Sequence, residues 1–385
     1  MKLALCLEYP IALQGGVSVL VTVFLREFTG QGHQVILVSP DSPETIQESE
    51  WGKLGKHFRW DPTLTSPSTA KNLAQLLANE SIDLAHFHLG GNFGWGNRFL
   101  GYCPIVYLSR LGIPCFSTVH LVVNILDGHV GPQKPFLFKL GMLPFAWVAK
   151  AQQLRHVQTE VAVSVHDLTK LQRWYRPFRG RFAQIYHSRL SRAEPGPGNE
   201  AREKMILNVG HLAWRKGQAT LAEAFAKIAP RHKDWTLQLA GPDSGDGAVD
   251  RIREITEQHQ LGGRILLLGQ RKDAQALMRR AAIYVQPSTA EALGLALQEA
   301  MFHGCACIGA RAGGIPELVR DGETGKLVEA GNAGKLAEAL EALINDATQR
   351  RIWGQSGADF IRKNGMTAEA MIERHLELYG TIAKR

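Results

Sequence analysis

The sequence predicts an α/β protein of two domains, each built on a parallel, doubly wound sheet. In both halves of the chain, short apolar segments typical of strands alternate with longer segments of helical periodicity. Such alternation is typical of parallel sheets covered by helices. The chain has 385 residues, which is enough for two domains that each bury a core. The sequence contains no apolar run of about 18 residues, so no membrane-spanning helix is expected.

The first half begins with a predicted strand at 2–7, followed by Gly15, Gly16 and an apolar helix that ends near Gln31. Glycines between a strand and a helix allow a phosphate to approach the backbone. Taken alone, Gly15 and Gly16 are better explained as a plain turn. The other predicted elements of this half are strands at 35–39, 83–88, 115–120 and 161–164, and helices at 68–79 and about 97–112.

His86, His88 and His120 stand at the carboxyl ends of predicted strands. Ligands of open α/β sheets bind at such ends, but a structural histidine is an equally good interpretation of each one. A metal site formed by His86 and His88 is disfavoured, because no carboxylate partners stand nearby.

Segment 134–150 combines Phe, Leu and Trp with punctuating lysines. A core helix, or a pair of helices broken by Pro144, is slightly favoured. The alternative is a basic amphipathic segment that lies on a membrane. Seven bases and no acid lie between Asp167 and Glu194, and most of the net charge of +8 falls in the first half. A solvated basic face, an anionic membrane and a phosphate-bearing partner all remain open. Nucleic acid is not an expected partner, since no known binding module is recognisable.

Segment 191–203 is rich in proline and glycine and predicts a linker. We therefore expect a first domain at 1–190 together with a final helix at 366–385, and a second domain at 204–365. The predicted elements of the second domain are a strand from 205, helices at 219–228, about 250–259 and 274–280, and strands at 236–240, 264–268 and 283–286.

The five cysteines are odd in number and scattered. This pattern favours reduced thiols in the cytoplasm over a disulfide framework. Cys305 and Cys307 have no second ligand pair at zinc spacing, so no metal is expected there. The expected location is therefore the cytoplasm, extended to the inner face of the cell membrane if the basic first half binds lipid.

Glu291 and Glu299 lie on either side of a predicted helix start at Leu293. Eight helical steps would place the two carboxylates about 12 Å apart, which is roughly the reach from the sugar to the ribose of a nucleotide-sugar. The amides of Leu293, Gly294 and Leu295 would then favour a diphosphate at the helix N-terminus. A solvated or capping glutamate is the simpler interpretation of either residue alone.

The motifs of the second half resemble the donor domain of the retaining GT-B glycosyltransferases of family 4. The first half is also similar, through Gly15-Gly16-Val17, Gly32-His33 and Thr118-Val119-His120. The resemblance implies two facing Rossmann-like domains with a nucleotide-sugar in the cleft, a C-terminal helix that crosses back to the first domain, and no required metal or cofactor. The matching residues of the second half are Asn208-Val209-Gly210, Arg215-Lys216-Gly217, Leu239-Ala240-Gly241, Leu268-Gly269, Pro287-Ser288, Glu291 to Met301, Gly313 to Glu317, Asp321-Gly322 and Thr324-Gly325.

The same resemblance implies roles for individual residues. Glu291 would contact the transferred sugar, Glu299 the ribose, and His120 the sugar from the acceptor side. The cations Lys216 and Arg215 would stabilise the leaving diphosphate, whose developing charge needs fixed positive groups. The remaining expected donor contacts are the amides of Gly16 and of Leu293, Gly294 and Leu295, together with Gly241 and Arg271.

Three positions depart from the family pattern. His211 stands where the family usually has an arginine, and a histidine with an ordinary pKa near 6.5 is mostly neutral at pH 7. His187-Ser188 replaces an Asn-Gly turn, and Leu293 replaces an aromatic residue. Only the first of these weakens an expected phosphate contact.

The expected function is retaining, metal-independent transfer of a sugar from a nucleoside-diphosphate sugar to an acceptor hydroxyl. A saccharide or lipid-linked acceptor of cell-surface polysaccharide or glycolipid synthesis is the expected partner. The main alternative is a non-catalytic GT-B scaffold subunit with His211 as the lesion. An epimerase is disfavoured by the glutamate spacing, and a phosphorylase would need pyridoxal phosphate on a lysine.

Overall fold

The computed structural model describes residues 1–11, 15–53, 55–61, 66–91, 103–122, 135–193 and 201–381. The chain divides into two units, Met1–Arg189 with Ala368–Arg385, and Leu190–Thr367. The final segment therefore belongs to the first unit. The predicted linker at 191–203 begins just after the boundary, and its residues 194–200 lie outside the described part of the chain.

The first unit is an α/β unit on a seven-stranded, all-parallel sheet. Its strands are β1 Lys2–Leu7, β2 Gln34–Ser39, β3 Lys56–Arg59, β4 Leu84–Leu89, β5 Cys115–Val119, β6 Thr159–Ala162 and β7 Phe182–Gln184. Their order across the sheet is β3-β2-β1-β4-β5-β6-β7. The helices are α1 Gly16–Gly30, α2 Pro43–Gln47, α3 Pro67–Asn79, α4 Pro104–Arg110, α5 Phe136–His156 and α6 Val165–Trp174, and a 3₁₀ turn follows at Arg176–Arg181.

The second unit is built on a six-stranded parallel sheet. Its strands are β8 Glu203–Val209, β9 Thr236–Ala240, β10 Ile265–Gly269, β11 Ala281–Gln286, β12 Ala306–Ala310 and β13 Lys326–Val328, in the order β10-β9-β8-β11-β12-β13. Its helices are α7 Gln218–Ile228, α8 Ala248–Gln258, α9 Ala274–Arg280, α10 Leu295–Phe302, α11 Ile315–Leu318, α12 Ala333–Asn345 and α13 Ala347–Lys363. The last helix of the chain, α14 Ala368–Gly380, returns to the first unit.

Both sheets reverse their strand order at one internal position. In the first unit the reversal lies between β1 and β4, and in the second it lies between β8 and β11. The loops after these neighbouring strands run in opposite directions, which opens a crevice at the carboxyl ends of the strands. The sheet topology therefore marks the loops after β8 and β11 as the place for a ligand in the second unit.

Segment 134–150 is not a core helix or a broken pair, as the sequence slightly favoured. Lys134 lies outside the described residues, and residues 136–150 belong to α5, which runs without a break through Pro144. The carbonyl of Leu140, which loses its helical donor at Pro144, belongs to an exposed residue, so water can replace the lost bond. The first half of α5 is exposed, and its burial begins at Ala146.

Five buried or partly buried histidines meet in the core of the first unit. His86 shares hydrogen bonds with Tyr379 of α14 and with Thr118 of β5. The rings of His88 and His120 stack, with their Nδ1 and Nε2 atoms 3.1 Å apart. His187 and His375 complete the cluster, which packs edge-on against Phe24 of α1. The cluster therefore attaches the last helix of the chain to the first sheet.

Burial lowers the pKa of all five histidines, to about 4 for His375 and about 3 for His120. Unfolding restores a pKa near 6.5, so the unfolded chain binds more protons and acid destabilises the fold. We expect the free energy of unfolding to fall as the pH drops from about 6.5 toward 4. In His375→Gln the slope should be shallower by up to about 1.4 kcal/mol per pH unit. Urea unfolding at several pH values measures both slopes, and equal slopes would contradict the prediction.

Candidate active site

An ion pair between Lys216 and Glu291 lies at the reversal point of the second sheet. Lys216 follows β8 and Glu291 follows β11, and the ammonium Nζ lies 2.6 Å from Oε2 of the carboxylate. The two side chains are 16% and 13% exposed, so both are accessible but largely shielded. The structure thus brings together two residues that are 75 positions apart, and both were predicted to act in catalysis.

The loops that carry the pair are joined through their backbones. The amide of Thr289 donates to the carbonyl of Arg215 at 2.9 Å, and its hydroxyl donates to the same oxygen at 3.2 Å. Gly217 allows the loops to approach, because a Cβ there would lie 2.2 Å from the carbonyl oxygen of Pro287. The position of Lys216 relative to Glu291 is therefore fixed by main-chain contacts.

A second glycine contact supports Glu291 from the other side. The amide of Gly314 donates to the carbonyl of Glu291 at 3.1 Å. Gly313 has φ +55°, and a Cβ at this residue would lie 1.7 Å from the same carbonyl oxygen. The Gly-Gly pair of the sequence motif is thus required for close backbone packing beneath Glu291.

A row of polar side chains leads along β11 to Glu291. The Tyr284 hydroxyl donates to Gln286 at 2.9 Å, and the Gln286 amide donates to Ser288 at 2.8 Å. Ser288 and Gln286 donate to Oε2 of Glu291 at 3.2 and 3.4 Å. The sequence analysis did not identify Tyr284 or Gln286. Their period-two spacing with Ser288 was a usable signal, since alternate residues of a strand share one face.

Gln218, at the start of α7, holds the loop after β8. This buried side chain donates to Asn208 at 3.1 Å and to the carbonyl of His211 at 3.0 Å, and it accepts from the amide of Ala213 at 3.3 Å. Asn208 in turn donates to Val285 of β11 at 2.8 Å. The sequence analysis also missed Gln218, although a polar residue that directly follows Lys216-Gly217 and opens an apolar helix was a visible signal.

His211 lies on the same loop as the two cations. Partial burial, followed by the positive charges of Lys216 and Arg215, lowers the pKa of His211. The imidazole is therefore neutral at neutral pH, and the loop presents Arg215 and Lys216 as its charged groups. Both His211 and Arg215 are exposed, so both are accessible to a bound anion.

The helix start near Glu291 lies two residues later than predicted. Helix α10 begins at Leu295 with Gly294 as its N-cap, and no described side chain caps its first turn. Leu293 is buried and precedes the helix. The helix cannot include Leu293, because the left-handed conformation of Gly294 interrupts helical geometry. Since Glu291 is not part of the helix, the estimate of about 12 Å to Glu299 from helical steps does not apply. Glu299 lies on α10 and is 2% exposed.

The other predicted donor contacts of the second unit lie at strand ends. Gly241 follows β9, and a Cβ there would lie 1.9 Å from the carbonyl oxygen of Gly210. Gly241 thus allows the loops after β8 and β9 to pack closely. Arg271 follows β10, is exposed, and forms a two-point ion pair with Asp273 at 2.8 and 2.7 Å.

The two predicted residues of the first unit lie near the reversal point of the first sheet. Gly16 is the first residue of α1, and it is exposed. His120 follows β5 and belongs to the histidine cluster. The preceding Gln14 lies outside the described residues.

These features define the class of protein. Two α/β units, each built on a parallel sheet with one reversal of strand order, form the GT-B architecture. The model of the group 1 glycosyl transferases matches residues 192–360, and the model of glycosyltransferase family 4 matches residues 14–188. The chain belongs to the group 1, family 4 glycosyltransferases.

Curated relatives support this assignment. The N-acetyl-alpha-D-glucosaminyl L-malate synthase of Bacillus anthracis is 23% identical over 95% of this chain and 93% of its own length. The D-inositol 3-phosphate glycosyltransferase of Corynebacterium glutamicum is 33% identical, over 43% of this chain and 41% of its own length. The Rhizobium leguminosarum mannosyltransferase LpcC is 30% identical over 40% of this chain and 45% of its own length. The chain thus aligns with less than half the length of these last two relatives.

Solved structures confirm the predicted fold. A glycosyltransferase from Rickettsia africae superposes with a TM-score of 0.78 at 18% identity, over 100% of this chain and 98% of that one. Anabaena HepE, in complex with UDP and glucose, gives a TM-score of 0.73 at 18% identity, over 98% and 99% of the two chains. At these identities the likeness establishes the GT-B fold.

Gly313→Ala tests the close packing beneath Glu291. The added Cβ meets the Glu291 carbonyl and the residue keeps a positive φ, so we expect a loss of roughly 1–3 kcal/mol or more in the free energy of unfolding. Gly331→Ala is the matched control, because Gly331 has φ +76° and open space around its Cβ position. Thermal unfolding of both variants measures the difference, and equal losses would show that backbone strain alone matters at Gly313.

Proposed function

We propose that this protein transfers a sugar from a nucleoside-diphosphate sugar to an acceptor hydroxyl, with retention of anomeric configuration and without a metal or other cofactor. The observation that carries the proposal is the shielded Lys216–Glu291 pair at the reversal point of the second sheet. Family membership, through both halves of the chain, supports sugar transfer as the reaction class.

Lys216 and Arg215 are the proposed stabilisers of the leaving diphosphate. Negative charge develops on the diphosphate as its bond to the sugar breaks, and fixed cations at that point lower the barrier. The first amides of α10 would add to this effect, since a helix N-terminus contributes about 0.3–2 kcal/mol to the binding of an anion. Several such groups acting together would replace the metal ion that other transferases need.

Glu291 and Glu299 are proposed to bind hydroxyl groups. Ser288 and Gln286 already donate to Oε2 of Glu291, which leaves its carboxylate oriented when a diphosphate draws Lys216 away. The acceptor hydroxyl would attack the anomeric carbon from the face that the nucleoside diphosphate leaves. The new C–O bond replaces the bond to phosphate, and the hydroxyl proton passes to the departing phosphate oxygen. No proton transfer by either glutamate is needed.

We propose that the first unit contributes to this reaction by binding the sugar and the donor. His120 has a pKa of about 3 because it is buried, so its imidazole is neutral and cannot serve as a general acid at neutral pH. It would instead hydrogen-bond a sugar hydroxyl, as the family resemblance implies. Gly16 would offer a backbone amide to the donor at the start of α1.

The proposed acceptor is a saccharide or a lipid-linked molecule of cell-surface polysaccharide or glycolipid synthesis. One relative is named a lipopolysaccharide core biosynthesis mannosyltransferase, which supports this choice. The proposed site of action is the cytoplasm at the inner face of the cell membrane.

A second candidate function is a non-catalytic, nucleotide-sugar-binding subunit. The observation that favours it is His211, which stands where the family usually has an arginine and whose lowered pKa leaves its ring neutral at neutral pH. Turnover separates the two candidates, because a binding subunit would take up a nucleotide-sugar without releasing free nucleotide.

We expect Lys216→Ala and Glu291→Gln each to lower transfer by about 10²–10³-fold. Release of nucleoside diphosphate from a panel of nucleotide-sugars measures the rate, with and without EDTA, and proton NMR of the product identifies the anomer. Lys335→Ala and Glu338→Gln are matched controls, because this ion pair is fully on the surface, with side chains 60% and 68% exposed. Full activity of both site variants, a rate abolished by EDTA, or an inverted anomer would each refute part of the proposal.

His211→Arg should raise the affinity for a nucleoside diphosphate by roughly tenfold at neutral pH, since a charge-assisted bond to phosphate replaces a contact from a neutral ring. In the wild type the affinity should rise as the pH falls and the imidazole gains its proton. Titration calorimetry with UDP, GDP and ADP over a range of pH tests both effects. If neither the substitution nor the pH changed the affinity for the nucleoside diphosphate, His211 would lie outside the phosphate site.

A further inference from the structure

The first half of α5 forms an exposed apolar patch. Single apolar residues on a surface are normal, but a contiguous group on one short segment indicates an interaction site. Leu137 is 78% exposed and Phe136 is 65% exposed. The α5 patch consists of Phe136, Leu137, Phe138, Leu140, Phe145 and Val148, each with about half or more of its surface exposed.

The α5 patch is fixed beside a basic segment. Trp147 of α5 donates its indole N–H to the carbonyl of Trp174 at 3.1 Å, and its ring lies 6.4 Å from that of Phe178. This contact joins α5 to the end of α6 and to the 3₁₀ turn at Arg176–Arg181. Arg173, Arg176 and Arg179 are exposed there, and within the described residues none of them makes an ion pair.

Acidic residues are absent from the exposed part of this region. Residues 135–193 contain ten Lys and Arg but only two acids, Glu160 and Asp167. Glu160 is buried against Lys150 at 2.6 Å, and Asp167 is 1% exposed. The exposed charge of this stretch is therefore entirely positive.

The apolar side chains cover a broad arc of the helix. Phe136, Leu137 and Phe138 are consecutive, and successive residues of a helix point about 100° apart. Phe136, Leu137 and Phe138 alone span about 200° of the helix circumference, and a fluid headgroup layer can adapt to so broad an apolar surface. Guanidinium groups without an ion-pair partner lie beside it and match phosphate geometry.

We propose that the α5 patch and the arginines beside it bind the surface of an anionic phospholipid bilayer. The apolar side chains enter the boundary between headgroups and acyl chains, and Arg173, Arg176 and Arg179 contact lipid phosphates. The contact is peripheral, since no helix within the described residues is long and apolar enough to span a membrane. The inference concerns only the first unit and does not depend on the transfer reaction.

Flotation of the whole protein with lipid vesicles tests the proposal. The wild type should float with vesicles of phosphatidylcholine and phosphatidylglycerol, and much less with phosphatidylcholine alone. Leu137→Glu, and separately Arg173→Glu with Arg176→Glu, should each reduce the vesicle-bound fraction by about tenfold or more. Binding should weaken as salt rises above about 0.15 M, where the Debye length is already about 8 Å.

Ile352→Glu and Arg351→Glu are the matched controls, because both residues are exposed in the second unit, and neither should change flotation. Equal flotation of Leu137→Glu and the wild type would overturn the proposal, and so would absence of wild-type binding to the anionic vesicles. Sedimentation without lipid tests the other possible occupant of the α5 patch, a second copy of this chain. A wild-type dimer that Leu137→Glu converts to monomer would assign the α5 patch to self-association instead.

Discussion

The candidate site depends on the close approach of three loops at the carboxyl ends of β8, β11 and β12. Side chains larger than hydrogen at Gly217 and Gly313 would collide with carbonyl oxygens of Pro287 and Glu291. The approach allows hydrogen bonds between main-chain groups, so the site does not rely on flexible surface contacts. Lys216 and Glu291 then meet as a consequence of backbone packing.

The fold and the charged members of the site could be predicted from the sequence because they follow local rules. Alternating strands and helices predicted two parallel sheets, and the motifs around Lys216 and Glu291 predicted the family. Short edge strands such as β3 and β7 were not predicted, because three or four residues show too little periodicity to distinguish a strand from a loop. The start of α10 was placed two residues early, because the apolar run from Leu293 does not reveal the left-handed Gly294.

The supporting residues were harder to predict because their roles arise between segments distant in the chain. Gln218 bonds to Asn208 and to the loop at His211, and its sequence position alone indicates only a helix start. The same limit applies to α5. Its composition is that of a core helix, and only the structure shows that the helix is buried from Ala146 onward while its earlier turns are exposed.

The return of α14 to the first unit has a consequence for the order in which the chain acquires its structure during synthesis. His86 cannot meet Tyr379, nor Phe24 meet His375, until the ribosome has made the whole second unit, Leu190–Thr367. At roughly 5–20 residues per second, that interval is on the order of ten seconds or more. During this time the nascent first unit holds Phe24 and the other four histidines of the cluster without α14, which carries His375, while the second unit has its own complete sheet.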